Sequence, residues 1–332
     1  MNDVARLAGV GTMTVSRVLS GSVRVSEETA KRVHEAIAAL NYRPNEVARA
    51  LRERHSRQIG VLVPNLLDPF FAICAHTVSA VANEHGYSVI IATDNADRDK
   101  QYKEASQMLR RQVEGLVLVP AGTDAPSITP EEFRNLPVVS LDRPLENTSY
   151  DGVVVENKFG AQLGVNHLIQ HGHKRIAFFG LLPQMYTIKL RHEGYCEAMG
   201  KAGLELESHF GNATQEEMVA TMRSVLSGSN PPTAIFCGNN LIARNAFHAL
   251  CHLQVRIPDA MALVGFDDFE TANILNPALT VVRQPITEMA RIGANLLFSQ
   301  LWNKEAGFRG KITVLPVELV VRDSCGRHPE AQ

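Results

Sequence analysis

The chain has 332 residues, a formal net charge of −2 and 45% hydrophobic residues, which is typical of a globular protein, and at roughly 150 residues per domain it has room for about two domains. It contains no apolar run of the roughly 18 residues that a membrane span requires, and its first residues, MNDVARLAGV, lack the pattern of a secretory signal. The five cysteines are scattered and never in CxxC spacing, which is typical of reduced thiols, so we expect a cytoplasmic protein without a membrane partner.

The charge is unevenly distributed along the chain. Residues 1–56 carry nine basic and six acidic side chains, a net charge of +3, and because the whole chain carries −2, the remainder carries −5. A small basic segment on an acidic body indicates that the segment binds an anion such as DNA.

The first 40 residues predict three short helices. Gly9 ends the first helix, Gly11 or Thr12 begins the second, Gly21 ends it, and Ser26 caps the third. Their apolar stripes are Val4, Ala5, Leu7 and Ala8; Val15, Val18 and Leu19; and Val33, Ala36, Ile37 and Leu40. Two short helices joined by a glycine-containing turn and braced by a third form a helix-turn-helix, whose second helix enters the major groove. A three-helix bundle that binds nothing is the alternative.

A basic segment, NYRPNEVARALRERHSRQIG, covers residues 41–60. Pro44 suits a first helical position, but residues 45–52 make barely two turns, too few to be stable alone in water. The segment is therefore either a basic linker or a hinge helix that folds on DNA and inserts Leu51 between base steps of the minor groove.

From Ile59 onward, short Val-, Ile- and Leu-rich runs alternate with helical patterns, and the alternation starts again after Asp151. Such alternation predicts parallel sheets covered on both faces, here in two similar α/β halves. Ligands of such sheets bind beyond the carboxyl ends of the strands, so two facing halves form a ligand cleft.

Several polar side chains are expected in this cleft. Asp142, Asn239 and Asp267 each follow an apolar strand, and Arg191 opens the helical pattern RHEGYCEAM. Carboxylate, amide and guanidinium groups suit a ligand with many hydroxyls or a purine edge, and Phe70 and Phe71 supply apolar faces; a cap or an ion pair at a strand–helix turn is the alternative for each polar residue.

Motifs in the expected order along the chain resemble the lactose-repressor (LacI-type) family of bacterial transcription regulators. The highly specific ones lie in DVARLAGVGTMTVSRVLSG and LNYRPNEVARALR, and NLLDPFFA, SLDRP, PTAIFCGNN and VGFDD follow in the expected order. The resemblance implies an α/β protein with a helix-turn-helix headpiece and hinge helix over 1–56, followed by a periplasmic-binding-protein-like core of parallel sheets over 57–325. The core divides into one subdomain of about 57–155 and 286–313 and another of about 156–285 and 314–325.

The resemblance also assigns binding roles. On the second helix, Thr12, Met13 and Arg17 would read bases, with Ser16 and Ser20 near the DNA backbone or base edges and Thr14 on the same polar face. The residues that would face the minor groove are Asn45, Ala48, Arg49 and Leu51. Arg191 and Asp267 would be the main effector contacts, with Asn239, Asp142 and Gln284 secondary. The chain departs from the family pattern at Gly11, usually Ser or Thr, and at Glu156 and Asn240, usually Asp.

We therefore expect a repressor that binds a palindromic operator as a homodimer, without leucine heptads for a tetramer, and responds to a small effector, a sugar or sugar acid. A solute-binding protein with the same core is the alternative. An enzyme is not expected, because the chain has no strand-linked GxGxxG, no GxxxxGK[ST] and no GxSxG. A cofactor and a bound metal are not expected either. Metal-like spacing occurs in His167, His171 and His173 and in His248, Cys251 and His252, but neither set offers four ligands.

Overall fold

The computed structural model describes residues 1–19, 25–42, 55–122, 128–129, 131–133, 136–145, 149–303 and 310–326. The chain forms two compact units, Met1–Ser56 and Arg57–Gln332.

The smaller unit contains the three predicted helices, α1 (Asn2–Ala8), α2 (Thr12–Leu19) and α3 (Glu27–Ala39). Gly9 ends α1 in the left-handed conformation with a φ of 64°, and the Ser26 side chain accepts a hydrogen bond from the Thr29 backbone at the start of α3, as the sequence predicts. The helices pack on a small core of Val4, Ala5, Ala8, Val15, Val33 and Ala36.

Two residues predicted in these apolar stripes are exposed. Leu7 is 57% exposed, because α1 packs through the narrower stripe of Val4, Ala5 and Ala8, and Leu40 is 44% exposed, because it follows the last residue of α3. The buried stripes are therefore narrower than the sequence indicates.

The larger unit has two halves, each built on a six-stranded sheet. The first half contains β1 (Gln58–Val63), α4 (Pro69–Glu84), β2 (Ser88–Thr93), α5 (Arg98–Arg110), β3 (Gly115–Leu118), β4 (Val138–Leu141) and β5 (Asp151–Val155). The second contains α6 (Asn157–Gln170), β6 (Ile176–Gly180), α7 (Tyr186–Lys201), β7 (Glu207–Phe210), α8 (Gln215–Leu226), β8 (Ala234–Cys237), α9 (Asn240–His252), β9 (Ala262–Phe266), a 3-10 turn (Glu270–Asn273) and β10 (Thr280–Arg283). The chain returns to the first half with α10 (Ile286–Trp302) and β11 (Ile312–Leu315), then reaches the second with β12 (Glu318–Val320) and a 3-10 turn (Asp323–Cys325).

The strand order is β11-β5-β4-β3-β1-β2 in the first sheet and β12-β10-β9-β8-β6-β7 in the second. The central strands are buried along their length, as expected for sheets covered on both faces. Among the strands that the structure describes, all pairings are parallel except that of β12, which runs antiparallel to β10. The strand β11 runs parallel to β5 and ends at the carboxyl end of the first sheet. The chain then enters the second sheet at the carboxyl end of β10, so β12 runs in the opposite direction to β10.

The close packing of α7 against α6 depends on Gly194. A Cβ atom there would overlap the carbonyl oxygen of Lys158 and lie 2.9 Å from the Cβ of Ala161. Because the obstacle is backbone, no side-chain rotation relieves it. Gly200, on the same helix, is exposed, and a Cβ there would meet nothing within 4 Å.

We predict that Gly194→Ala lowers the free energy of unfolding by about 2–3 kcal/mol, because overpacking must separate the two helices. Gly200→Ala is the matched control and should raise it by up to about 1 kcal/mol, since alanine has the higher helix propensity. Urea denaturation of both variants checks this, and equal stability of the two would show that α6 and α7 do not pack as described.

Candidate functional site

A cavity of about 180 Å³ lies at the carboxyl ends of the strands of the two sheets. Its lining includes all seven residues that the sequence places in the cleft, namely Phe70, Phe71, Asp142, Arg191, Asn239, Asp267 and Gln284. The volume is below the range of roughly 300–1,000 Å³ typical of drug-sized ligands, so the cavity suits a small molecule.

Two aspartates occupy equivalent positions in the two halves. Asp142 directly follows β4 and Asp267 directly follows β9, and both adopt positive φ, 67° and 72°. Each backbone N–H donates to the neighbouring strand, from Asp142 to the Val153 carbonyl at 3.0 Å and from Asp267 to the Val282 carbonyl at 2.9 Å. Aspartate is one of the few residues that tolerates this left-handed conformation. The two turns therefore direct similar carboxylates to the cavity from opposite sides.

Arg191 is held rigidly in the wall of the second half. Its Nε donates to Asn157 Oδ1 at 2.8 Å, and its Nη1 donates to the Gly238 carbonyl at 2.8 Å and to Asp267 Oδ2 at 3.3 Å. The guanidinium lies 3.7 Å from the centre of the Phe266 ring, and the residue is 2% exposed. A planar, fully charged side chain with this many contacts is fixed in position before any ligand arrives.

Asp267 also accepts a hydrogen bond from Gln284 Nε2. Burial raises the pKa of Asp267 above its usual value, against the lowering effect of Arg191 and Gln284, while Asp142 and Asp68 add to the rise. Gln284 Oε1 is buried and has no hydrogen-bond partner among the described residues. An acceptor left unpaired in a buried site carries a cost that a ligand hydroxyl or N–H would remove.

Asp142 and Asn239 line the cavity and also make structural contacts, one an ion pair and the other a helix cap. Asp142 pairs with Arg143 at 3.1 Å, and Arg143 donates to the Pro120 carbonyl at 3.1 Å. Asn239 caps α9, since its Oδ1 accepts from the Ile242 backbone at 3.0 Å. The cap and ion pair that the sequence leaves open as alternatives are thus present, on residues that also line the cavity.

A hydrogen-bonded pair that the sequence pattern does not indicate joins the two halves. Asn240 Nδ2 donates to Asp68 Oδ1 at 2.8 Å. Asp68 also caps α4, accepting from the Phe70 backbone at 3.0 Å, and Asn240 is 2% exposed. The Asp-Pro pair at residues 68–69 is a recognisable helix-start signal, and Asn240 is noted above as a departure, but neither indicates that the two meet.

We predict that Asn240→Asp weakens ligand binding in the cavity by at least about tenfold at pH 7, because two carboxylates within hydrogen-bond distance cannot both ionise without repulsion. The repulsion requires both carboxylates to be ionised, so the two halves should pair again as the pH falls and separate as it rises. Calorimetric titration of a cavity ligand between pH 5 and 8 checks this. Asn240→Gln, which keeps the charge, should bind without this pH dependence; a flat profile for Asn240→Asp would contradict the prediction.

In the smaller unit, the structure places five of the predicted DNA-reading residues on α2. Thr12, Met13 and Arg17 are exposed, Met13 by 69%, whereas Thr14 and Ser16 are half-buried and Val15 is buried. The polar face predicted from the periodicity therefore points away from the core of the unit. The other predicted positions, Ser20, Asn45, Ala48, Arg49 and Leu51, lie outside the described residues, as does the proposed hinge helix.

The adjacent carboxylates of Asp267 and Asp268 do not form a catalytic pair. Asp268 accepts hydrogen bonds from Arg283 at 2.7 Å and Arg322 at 2.8 Å, whereas Asp267 binds Arg191 and Gln284. Burial alone would raise the pKa of Asp268, but the hydrogen bonds from Arg322 and Arg283 outweigh it and lower the pKa.

Among the described residues, no helix combines the length and hydropathy of a membrane span.

A helix-turn-helix unit followed by two α/β halves around a ligand-sized cavity defines a ligand-responsive regulator of transcription. A model of the bacterial regulatory proteins of the lacI family matches residues 1–45, and a model of the periplasmic binding protein-like domain matches 165–325. The chain is 32% identical over 329 residues to the HTH-type transcriptional repressor PurR of Mannheimia succiniciproducens, with 98% of each chain covered. It is also 32% identical over 327 residues to the ribose operon repressor of Haemophilus influenzae, again covering 98% of each chain.

Solved structures agree with these relatives. The lac repressor dimer bound to operator and the anti-inducer ONPF matches with a TM-score of 0.86 and 25% identity, covering 98% of each chain. The complex of the transcriptional regulator CelR with cellobiose matches with a TM-score of 0.72 and 30% identity, covering 97% of this chain and 98% of that one. The chain belongs to the lacI family of bacterial regulatory proteins, and it is a transcriptional repressor rather than an enzyme.

Proposed function

We propose that this repressor binds a palindromic operator as a homodimer, in the cytoplasm where bacterial DNA lies, and that a small sugar or sugar acid in the cavity controls its affinity for that operator. The observation that carries the effector proposal is the cavity itself, where Asp142, Asp267 and the unpaired Gln284 Oε1 face one small volume beside a rigid Arg191. Carboxylate and amide oxygens accept hydrogen bonds from several hydroxyls at once, and the rings of Phe70 and Phe71 offer apolar faces.

The charge of the lining favours a neutral sugar over a sugar acid. The cavity carries three carboxylates, Asp68, Asp142 and Asp267, against two guanidinium groups, Arg143 and Arg191, and both guanidiniums already bind a carboxylate. An anionic ligand would add repulsion without a new partner. The CelR–cellobiose complex supports a sugar in a core of this kind.

A purine is the second candidate ligand. The Gln284 amide and the aspartate carboxylates could pair with the donors and acceptors of a purine edge, and the edge-to-face pair of Phe70 and Phe71, with ring centres 5.2 Å apart, could contact its face. Titrating the operator complex separately with sugars and with purines distinguishes the two classes.

For the DNA, we propose that Met1–Ser56 is the binding unit and that Thr12, Met13 and Arg17 of α2 read base edges, with Thr14, Ser16 and Ser20 near the backbone. Asn45, Ala48, Arg49 and Leu51 would meet the minor groove. The proposal is supported by the exposure of the α2 face and by the structural similarity to the lac repressor dimer bound to operator.

The test is selection of binding sites from random DNA, followed by fluorescence anisotropy at several salt concentrations. We expect a palindromic consensus, two chains per site, and an affinity that falls steeply with salt as phosphate contacts release counterions. Recovery of no consensus sequence, or one chain per site, would contradict the proposal.

A further inference from the structure

Three candidate metal ligands meet far from the cavity, in the second half. His167 lies in the last turn of α6, His171 directly follows this helix, and Cys325 ends the 3-10 turn Asp323–Cys325. His167 Nε2 lies 3.0 Å from Cys325 Sγ although 158 residues separate the two, and the ligand atoms of all three residues lie within 4.8 Å of one another.

A hydrogen bond to a backbone carbonyl orients the His171 ring for metal binding. His171 Nδ1 lies 2.8 Å from the carbonyl oxygen of His167. Because a carbonyl can only accept, Nδ1 carries the proton, and in a neutral ring Nε2 is then a lone-pair donor. A ligating histidine in proteins is usually oriented in this way, by a hydrogen bond from its other ring nitrogen to a carbonyl or carboxylate.

The three side chains lie largely out of solvent. His167 and Cys325 are buried, at 7% and 2% exposure, and His171 is half-buried with its Nε2 atom enclosed. Thr280 Oγ1 lies 3.3 Å from Cys325 Sγ. In a tetrahedral zinc site the ligand atoms lie roughly 3.3–3.7 Å apart, so modest side-chain rotations bring the three ligand atoms to bonding distance.

We propose that His167, His171 and Cys325 bind one Zn²⁺ ion, with water as the fourth ligand. Two imidazoles and a thiolate form a donor set that zinc accepts, whereas Mg²⁺ and Ca²⁺ require oxygen ligands. On binding, the Cys325 S–H bond breaks, the sulfur forms the bond to zinc, and one proton passes to solvent. Because the ligand is the thiolate, zinc binding is coupled to the loss of this proton.

The ion would fix the last described turn of the chain to α6. That turn is already held at the start of β10, where the Thr280 backbone donates to Ser324 Oγ at 2.8 Å and Ser324 donates from its backbone to the Ala278 carbonyl at 3.0 Å. These contacts lie at the amino-terminal end of β10, opposite the cavity. Zinc would therefore stabilise the second half without occupying the effector site.

This site is not predictable from the sequence, because the spacing of His167, His171 and His173 offers no thiolate and only the fold brings Cys325 to the helix. His173 instead bonds Thr233 Oγ1 at 2.9 Å. Its ring is engaged elsewhere, which makes His173 the matched control for the neighbouring histidines.

The test uses the full chain, reduced and freed of metal by a chelator, and titrated first with Co²⁺ and then with Zn²⁺. We expect one Co²⁺ per chain, with the sulfur-to-cobalt charge-transfer band of a thiolate ligand, displacement by Zn²⁺, and release of one proton. His171→Ala and Cys325→Ser should each bind at least about 100-fold more weakly, whereas His173→Ala should bind as the unchanged chain does.

Zinc should also raise the melting temperature of the unchanged chain and of His173→Ala, but not that of His171→Ala. His171 is half-exposed, so this variant is expected to fold, and circular dichroism of the metal-free proteins confirms that the comparison is between folded chains. Absence of the charge-transfer band, or equal Co²⁺ affinity in the unchanged chain and His171→Ala, would overturn the proposal.

Discussion

Replacing Arg191 by methionine is expected to lower the free energy of unfolding by about 3–5 kcal/mol, because it leaves the buried Asp267 carboxylate without its cationic partner. Methionine keeps much of the buried volume, so the loss is mainly electrostatic. The effector response should disappear as well, since Arg191 fixes one wall of the cavity through Asn157, Gly238 and Asp267. Urea denaturation and effector titration of the same preparation measure the two effects.

The loss should shrink as the pH falls from 7 towards 4. Burial raises the pKa of Asp267 and Arg191 lowers it, so removing Arg191 raises it further. A buried carboxyl with a raised pKa destabilises the fold when it is ionised and ceases to do so when it is protonated, which places the destabilisation on the high-pH side.

The matched control is Asp267→Asn, alone and combined with Arg191→Met. Asparagine tolerates the positive φ of this position. The double variant should recover most of the lost stability, because no unpaired charge is left, but should not regain the effector response. A stability of Arg191→Met within about 1 kcal/mol of the unchanged chain would contradict the buried ion pair described here.

Replacing Arg17 by alanine is expected to cost about 1–3 kcal/mol of discrimination between the selected operator and scrambled DNA. Arg17 lies on the exposed face of α2, where a guanidinium can donate two parallel hydrogen bonds to a guanine edge. Arg17→Lys keeps the charge and loses the paired donors, so it should keep the salt dependence of binding and lose most of the discrimination.

Arg6→Ala is the control for charge alone. Arg6 lies on α1 and pairs with Asp3 at 2.9 Å on the surface. Its removal should lower affinity for operator and scrambled DNA by the same factor. Competition anisotropy with both DNAs checks the three variants, and full discrimination by Arg17→Ala would show that another residue reads the base.

The sequence predicts the cavity residues that directly follow a buried strand. Asp142 and Asp267 follow apolar runs that can only be buried strands, and the carboxyl ends of parallel strands face the ligand. The same reasoning places Asn239 next to the cavity and leaves open, as the alternative, the cap that its Oδ1 provides for α9.

Contacts between distant segments were not predictable in this way. Asp68 and Asn240 are 172 residues apart and meet only because the two halves face each other. Cys325 reaches His167 only after β12 has crossed into the second sheet. Each residue has an ordinary local explanation, as a cap or a small apolar side chain, and the local pattern carries no sign of the partner.

Fluorescence anisotropy of the protein on a selected palindrome, during titration with a panel of sugars, sugar acids and purines, tests most directly whether the cavity controls DNA binding. We predict that one compound changes operator affinity by about 5–150-fold in the unchanged chain, and that Asp267→Asn binds the operator normally without this response. Release from DNA would identify an inducer and tighter binding a corepressor. A compound that binds the cavity by calorimetry but leaves operator affinity unchanged would contradict the coupling of the cavity to DNA.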